Sequence, residues 1–255
     1  KSHFSHTAHR TEEEKMAVIL MEIAGMKYSS GRFYPTFSGV LKSINFYPVS
    51  YMKRDEGVCY LALGFGKTIV DGGKCLGISP KYPAIKPQFS TIKSTLQNSQ
   101  SNFFALGLKD KNFNLKKDLK MHDLSKAEED ESLKWMGGVI TSVDNILRNS
   151  LSYAGTRVVN FSQILDWNII PLCDVLNELL TLGKQALGCP VEIEFAVNMN
   201  ENRPSEFFLL QIKPMIISNN KSIDLDIYEK KDIFASSHIT LGNGTTNEIK
   251  DLLYL

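Results

Sequence analysis

The chain has 255 residues, 43% of them hydrophobic and 22% charged, so it can bury a sizeable core and is not disordered by composition. Lys and Arg number 29 against 28 Asp and Glu, and this formal net charge of +1 gives no reason to expect nucleic acid or an anionic membrane as a partner. No apolar run approaches the roughly 20 residues that cross a bilayer, which excludes a membrane-spanning helix.

The start, KSHFSHTAHRTEEEK, lacks the apolar core of a signal peptide and lacks an initiator Met, as expected of a piece of something longer. Met16 to Ala24 is a continuous apolar run of strand length that ends at Gly25. After a turn-rich stretch with Ser29, Ser30, Gly31 and Pro35, the pattern predicts strands over Phe37 to Ile44 and Gly57 to Leu63. The second of these ends in Gly64-Phe65-Gly66, so residues 16–75 read as a β-rich unit. Lys86 to Asn102 is polar with little periodicity, a loop or a solvated helix. Ser125 to Asn149 predicts a helix, acidic early and with Arg148 late to match its dipole, interrupted by Gly137-Gly138. Thr156 to Phe161 is a short strand. Pro171 to Leu187 is the clearest helix: Leu172, Val175, Leu176, Leu179 and Leu180 form one stripe, and Gly188 stops it. Two strands follow, Val191 to Asn198 and Glu206 to Lys213, and then a linker-like Ser218-Asn-Asn-Lys-Ser222 before a charged C-terminal segment.

Several motifs fail on spacing. Cys59, Cys75, Cys173 and Cys189 form no C-x-x-C and have no His at zinc-ligand spacing, so they are expected to be reduced core residues of a cytoplasmic protein. The sequons at Asn160 and Asn243 then carry no information. Gly66-Lys67-Thr68 resembles the end of a phosphate-binding loop, but Leu61 stands where the first Gly belongs and Ile69 where a dinucleotide fingerprint needs its third. A tight turn between two strands is the favoured reading. His3, His6 and His9 crowd the start, and His122 and His238 are isolated and expected at the surface.

The late strand pair is more informative. Alternation places Glu192 and Glu194 on one face and Ile193, Phe195 and Val197 on the other. Phe207, Leu209, Gln211 and Lys213 likewise share a face of the second strand. A hairpin centred on Asn202-Arg203 sets Glu194 opposite Gln211 and Glu192 opposite Lys213, with Cβ atoms roughly 4.5–5.5 Å apart. Two carboxylates and an amide oxygen suit Mg²⁺, and Lys213 beside them suits the charge of a transferring phosphoryl group. A solvated hairpin face with one cross-strand ion pair fits the same pattern, and on pattern alone it is the favoured of the two.

The runs Gly39-Val-Leu-Lys-Ser-Ile-Asn-Phe-Tyr-Pro48, Ala62-Leu-Gly-Phe-Gly-Lys-Thr-Ile-Val-Asp-Gly72, Val191-Glu-Ile-Glu-Phe-Ala196 and Leu210-Gln-Ile-Lys-Pro214 change the weights. Together they resemble the nucleotide-binding domain of phosphoenolpyruvate synthase and pyruvate phosphate dikinase, from about Lys15 through Leu241-Gly-Asn-Gly244. The resemblance implies an α+β fold, the second half of an ATP-grasp domain, with a mostly antiparallel sheet and helices packed on it. It implies that residues 1–215 are the C-terminal part of that domain, with 216–255 an extension; a weak division near Asp123 is also compatible with the sequence.

The same resemblance implies site roles. Glu194 and Gln211 match the family's ligands for Mg²⁺ and the ATP phosphates, and Glu192 an acidic residue on the ATP side. Met21-Glu22 falls on the strand that meets the adenine, Gly64 and Gly66 in a glycine turn near the nucleotide, and Ser43 where relatives have Thr close to the phosphates. Lys213 stands where the family has a catalytic Arg, and Met21 where it has Gln. The implied parent is a cytoplasmic ATP-dependent phosphotransferase that phosphorylates a carrier histidine and then pyruvate. Its other ATP-binding lobe, phosphohistidine domain and pyruvate site are missing here, which leaves this chain inactive alone. A non-catalytic nucleotide-binding module, a structural interaction domain and a related dikinase with another acceptor are the alternatives.

Overall fold

The computed structural model describes residues 17–108, 118–215 and 234–235 of the chain. In chain order the strands are β1 (Met26–Lys27), β2 (Arg32–Tyr34), β3 (Phe37–Lys42), β4 (Val58–Leu63), β5 (Leu76–Ile78), β6 (Asn102–Gly107), β7 (Leu119–Asp123), β8 (Gly137–Thr141), β9 (Leu147–Arg148), β10 (Gly155–Val159), β11 (Val191–Asn198) and β12 (Glu206–Pro214). The α-helices are α1 (Lys67–Val70), α2 (Ile92–Asn98), α3 (Leu124–Glu129), α4 (Ser162–Leu165) and α5 (Leu172–Leu187).

These strands form three antiparallel sheets, ordered β12-β11-β3-β4-β5, β1-β2-β6-β7 and β10-β8-β9. With few helices beside them, the fold is α+β, an ATP-grasp-like half-domain.

The five-stranded sheet positions everything that follows. Its inner face carries Phe37, Leu41, Cys59, Leu61, Leu63, Ile193, Phe195 and Val197, all buried in one cluster that runs from Tyr34 to Met199 and includes residues from both sides of Asp123. Helix α5 covers this face with Leu172, Leu176 and Leu180, the stripe expected from its spacing. Pro171 caps its start, and Gly188, at φ +64°, ends it in the left-handed region that glycine occupies without a Cβ penalty. The polar stretch before β6 resolves into α2, which Thr91 caps in reciprocal hydrogen bonds with Ser94.

Elsewhere the core accepts a buried charge. The Asp130 side chain is fully buried, and it receives hydrogen bonds from Arg32 Nε at 2.7 Å and Tyr34 Oη at 2.9 Å. Paired and hydrogen-bonded in this way, a buried carboxylate is tolerated.

Three expectations need correction. The described part of the apolar run 16–24 is not a strand: Val18, Ile19 and Leu20 are 75%, 83% and 92% exposed, and Met16 lies outside the described residues. Hydrophobicity marks a segment that could be covered on both faces, but a strand also needs a ladder partner, and none pairs with it among the described residues. The region 125–149 is not one helix. α3 ends where Glu131 takes φ +59°, and Gly137-Gly138 begin strand β8, whose β-branched Val139, Ile140 and Thr141 fit a pleated ladder better than a helix turn. His122, expected at the surface, is half-buried on β7 with its ring 5.8 Å from that of Phe103. The C-terminal extension 216–255 lies outside the described residues except at 234–235, as do the 218–222 linker, Leu241–Gly244, His3, His6, His9 and His238.

The four cysteines are free, Cys59 buried and the others partly so. No helix among the described residues is long and apolar enough to cross a membrane.

One contact fixes how β11 lies on β3. Phe195 is paired with Gly39, and its ring occupies the space a side chain would need: a Cβ at Gly39 would lie 2.2 Å from the ring. Gly39→Ala is therefore expected to destabilise the chain by about 1–3 kcal/mol, the usual cost of overpacking a filled core. Urea denaturation midpoints check this, and an unchanged midpoint would show that the ring has free space to move into.

Candidate functional site

The outer face of the five-stranded sheet is built by the same alternation that fills the core. Ser38, Val40 and Lys42 of β3, Tyr60 of β4, and Glu192 and Glu194 of β11 point away from α5. The hairpin register is the one expected from the sequence, with Glu194 opposite Gln211 and Glu192 opposite Lys213.

The face assignment on β12 differs. A β-bulge follows Glu194, so that Phe195 pairs with Leu209 and Leu210 is the extra residue. Gln211 and Lys213 therefore share the outer face with the glutamates, whereas Phe207 and Leu209 share the inner face with Phe195. The Phe207 ring stacks on Phe195 at 4.9 Å. Alternation counted straight through the strand places all four together, and the bulge reverses its parity midway.

On the outer face the charges form a chain. Lys213 Nζ lies 2.8 Å from Glu192 Oε1 and 3.1 Å from Glu194 Oε1, and Lys42 Nζ lies 3.3 Å from Glu192 Oε2. Burial raises the Glu192 carboxyl, but the hydrogen bond from Lys213 and the charges of Lys42 and Lys213 outweigh it and hold the group below the usual carboxylate range. Hydrogen bonds to Glu192 and Glu194 raise the Lys213 ammonium above its ordinary value. This array lines a cavity of about 460 Å³ together with Val40 and Tyr60.

A second cavity of about 270 Å³ lies beside it, and Glu194 lines both. Met21, Glu22, Gly66 and Leu210 stand on its wall. The structure thus gathers Met21, Glu22, Gly66, Glu192, Glu194 and Lys213 around two adjoining hollows. It holds the other expected residues differently. Gln211 is exposed on the edge strand. Gly64 lies in the turn after β4, its carbonyl accepting from Ser38 Oγ at 2.8 Å. Ser43 is buried, its hydroxyl accepting from the Val191 N–H at 2.8 Å and so tying the end of β3 to the start of β11. Gly66 begins α1, a single helical turn between β4 and β5, and Lys67 pairs with Asp71 at 2.5 Å.

Lys42 and Tyr60 were missed by the sequence pattern. The alternation Ser38-Val40-Lys42 is readable, but only the pairing of β3 with β11, about 150 residues away, brings Lys42 to Glu192. Among the described residues no group of three or more His, Cys, Asp or Glu is placed to hold a metal.

A hollow of this kind, walled by acids and ammoniums on an antiparallel sheet, has the chemistry of a site for a charged ligand. Residues 2–231 match the family model of the pyruvate phosphate dikinase AMP/ATP-binding domain. The chain belongs to this family and is an ATP-binding domain of the dikinase type. Comparison with curated proteins returned no match.

The lowered Glu192 and raised Lys213 give a pH dependence with a definite sign. The Glu192 contribution is present above the carboxyl's unfolded value and is lost as pH falls through the lower folded one. The Lys213 contribution is present below the ammonium's unfolded value and is lost as pH rises through the higher folded one. The stability difference between the native chain and Glu192→Gln should be constant through neutral pH, begin to shrink as pH falls to the ordinary carboxylate range, and be lost once the folded-state Glu192 carboxyl is protonated below it. Urea titrations at a series of pH values measure it, and a difference that persists in acid would exclude the ion pairs as its cause.

Proposed function

We propose that this chain supplies the Mg-ATP side of a phosphoryl transfer in which ATP phosphorylates a carrier histidine, which then phosphorylates pyruvate. The observation that carries the reading is the Glu192–Lys213–Glu194 array on a cavity wall, in a chain of the dikinase ATP-binding family. In this reading Glu192 faces the nucleotide, Glu194 and Gln211 serve the metal and phosphates, and Lys213 assists transfer. Met21, Glu22, Gly64 and Gly66 border the base and its turn, and Ser43 supports the phosphate end through Val191. The second lobe of the nucleotide site, the phosphohistidine domain and the pyruvate site are assigned to other parts of a parent protein.

The donor set fits Mg²⁺. Glu194 and the opposed Gln211 offer hard oxygen donors, and Mg²⁺ is commonly held by one or two protein oxygens with phosphates and water completing its shell. When bound, the metal supplies charge neutralisation on the transferring phosphoryl group. The protein's own part is to orient: β11 holds the two carboxylates on one face, and β12 brings the positive charge of Lys213 to the same spot.

A second reading, a nucleotide-binding module without catalysis, is favoured by one observation. Lys213 is engaged by both glutamates, and an ammonium lacks the bidentate fork that Arg presents to phosphate.

Two experiments test the first reading. The chain alone should bind Mg-ATP weakly, because an open face cannot bury most of a ligand as productive sites do. Calorimetry giving a Kd in the low micromolar range, about −8 kcal/mol, would refute the half-site reading. In the complete parent, Glu194→Ala should abolish transfer of label from ATP to the carrier histidine with little loss of stability, since a partly exposed side chain leaves no core cavity. Lys213→Arg should preserve or raise the rate. Near-normal labelling in Glu194→Ala would move the non-catalytic reading to first place.

A further inference from the structure

We propose that Lys42 is a positioning residue of the nucleotide site, holding the Glu192 carboxylate so that Lys213 can leave the glutamate pair and engage the phosphates of ATP. The inference rests on the nucleotide reading of this cavity and adds to it a residue on a strand remote from the hairpin.

Glu192 uses both its oxygens, Oε1 toward Lys213 at 2.8 Å and Oε2 toward Lys42 at 3.3 Å. Lys213 is shared in turn, with Glu194 Oε1 3.1 Å away. The result is a chain of alternating charge, Lys42–Glu192–Lys213–Glu194, all of it on the wall of one cavity. Lys42 is directed by two contacts, the carboxylate at its tip and the Tyr60 ring, whose centroid lies 5.9 Å from Nζ.

The wall that a polyphosphate would face here carries two carboxylates, and both of its lysines are already ion-paired with them. Lys213 is the shared member of the chain, so its departure uncovers Glu194 for the divalent cation that accompanies ATP. The same departure would strip Glu192 on a face where its side chain is only 20% exposed and an unpaired charge is costly. Lys42 removes that cost because it already sits on the other oxygen. Without Lys42, Lys213 becomes the sole counter-charge of both glutamates among the described residues and is held more tightly where it is. Lys42 therefore acts through Glu192, and its influence should disappear when Glu192 carries no charge.

The test is a double-mutant cycle read by ligand binding. Ligand-observed NMR at millimolar concentrations would follow ATP, with adenosine as the phosphate-free control, on the full chain and on Lys42→Met, Lys42→Arg, Glu192→Gln and the Lys42→Met/Glu192→Gln pair. Lys42→Met should weaken ATP about tenfold and leave adenosine unchanged. Lys42→Arg should restore most of the loss. In the Glu192→Gln background Lys42→Met should have no further effect, the signature of a residue that works through its partner.

An equal loss in both backgrounds would overturn the proposal, since Lys42 would then be acting on the ligand directly. An equal loss for adenosine would overturn it as well, by marking a structural role. If the native chain bound ATP no better than adenosine, the phosphate reading of the cavity would fail and the role of Lys42 with it. Unchanged ATP binding in Lys42→Met, with normal binding by the native chain, would overturn the positioning role alone.

Discussion

The pairing of β3 with β11 is the constraint on which the rest of this molecule depends. It joins segments about 150 residues apart, and its inner side is locked by the Phe195 ring over Gly39. Its outer side sets Lys42 beside Glu192. One ladder thus serves the core and the site together, because the residues of a strand alternate between them. A shift of one residue would bury both glutamates and expose Ile193 and Phe195, so the hydrophobic side enforces the register that the charged side needs.

The electrostatics of the outer face follow from having the two carboxylates in alternate positions of one strand. Left alone they would repel across a partly desolvated surface. Interposing Lys213 and flanking them with Lys42 converts the repulsion into a neutral row, which explains why Glu192 stays ionised despite its burial. A row of that kind is stable as it stands, yet it can exchange partners when a stronger anion or cation arrives. In a chain of the dikinase ATP-binding family, the exchange proposed above would make way for the phosphates of the nucleotide.

Much of the late hairpin was legible in the sequence. Period-2 alternation on both arms and a polar loop of definite length were enough to place Glu194 against Gln211 and Glu192 against Lys213. The α5 helix was legible for a similar reason, since its apolar stripe, Pro171 and Gly188 all lie within one continuous segment. What failed were inferences that needed a distant partner or a local exception. The run beginning at Val18 is as apolar as a buried strand, but pattern cannot say whether another strand stands beside it. The first residues of 125–149 are helical, but the acidic run 128–131 falls at the end of that helix rather than in its first turn, and the chain turns at Glu131 through a backbone conformation that composition does not announce. Lys42 was invisible as a site residue until β11 was laid next to it. Leu210 carries no special signature, and nothing but the paired backbone shows that it is a bulge.

That bulge makes the spacing of β12 as consequential as its composition. Glu206 to Leu209 and Gln211 to Lys213 obey opposite parities, joined by one residue that belongs to neither ladder. The loop between Asn198 and Glu206 lies beyond the paired residues, where a change of length is absorbed by rearrangement of exposed chain. Within the strand, loss of Leu210 would leave a regular ladder, with Phe207 and Leu209 still inward and Gln211 and Lys213 still outward. A length change of one, which elsewhere in a paired strand turns the side chains beyond it to the opposite face, would at this position keep packing and chemistry where they are.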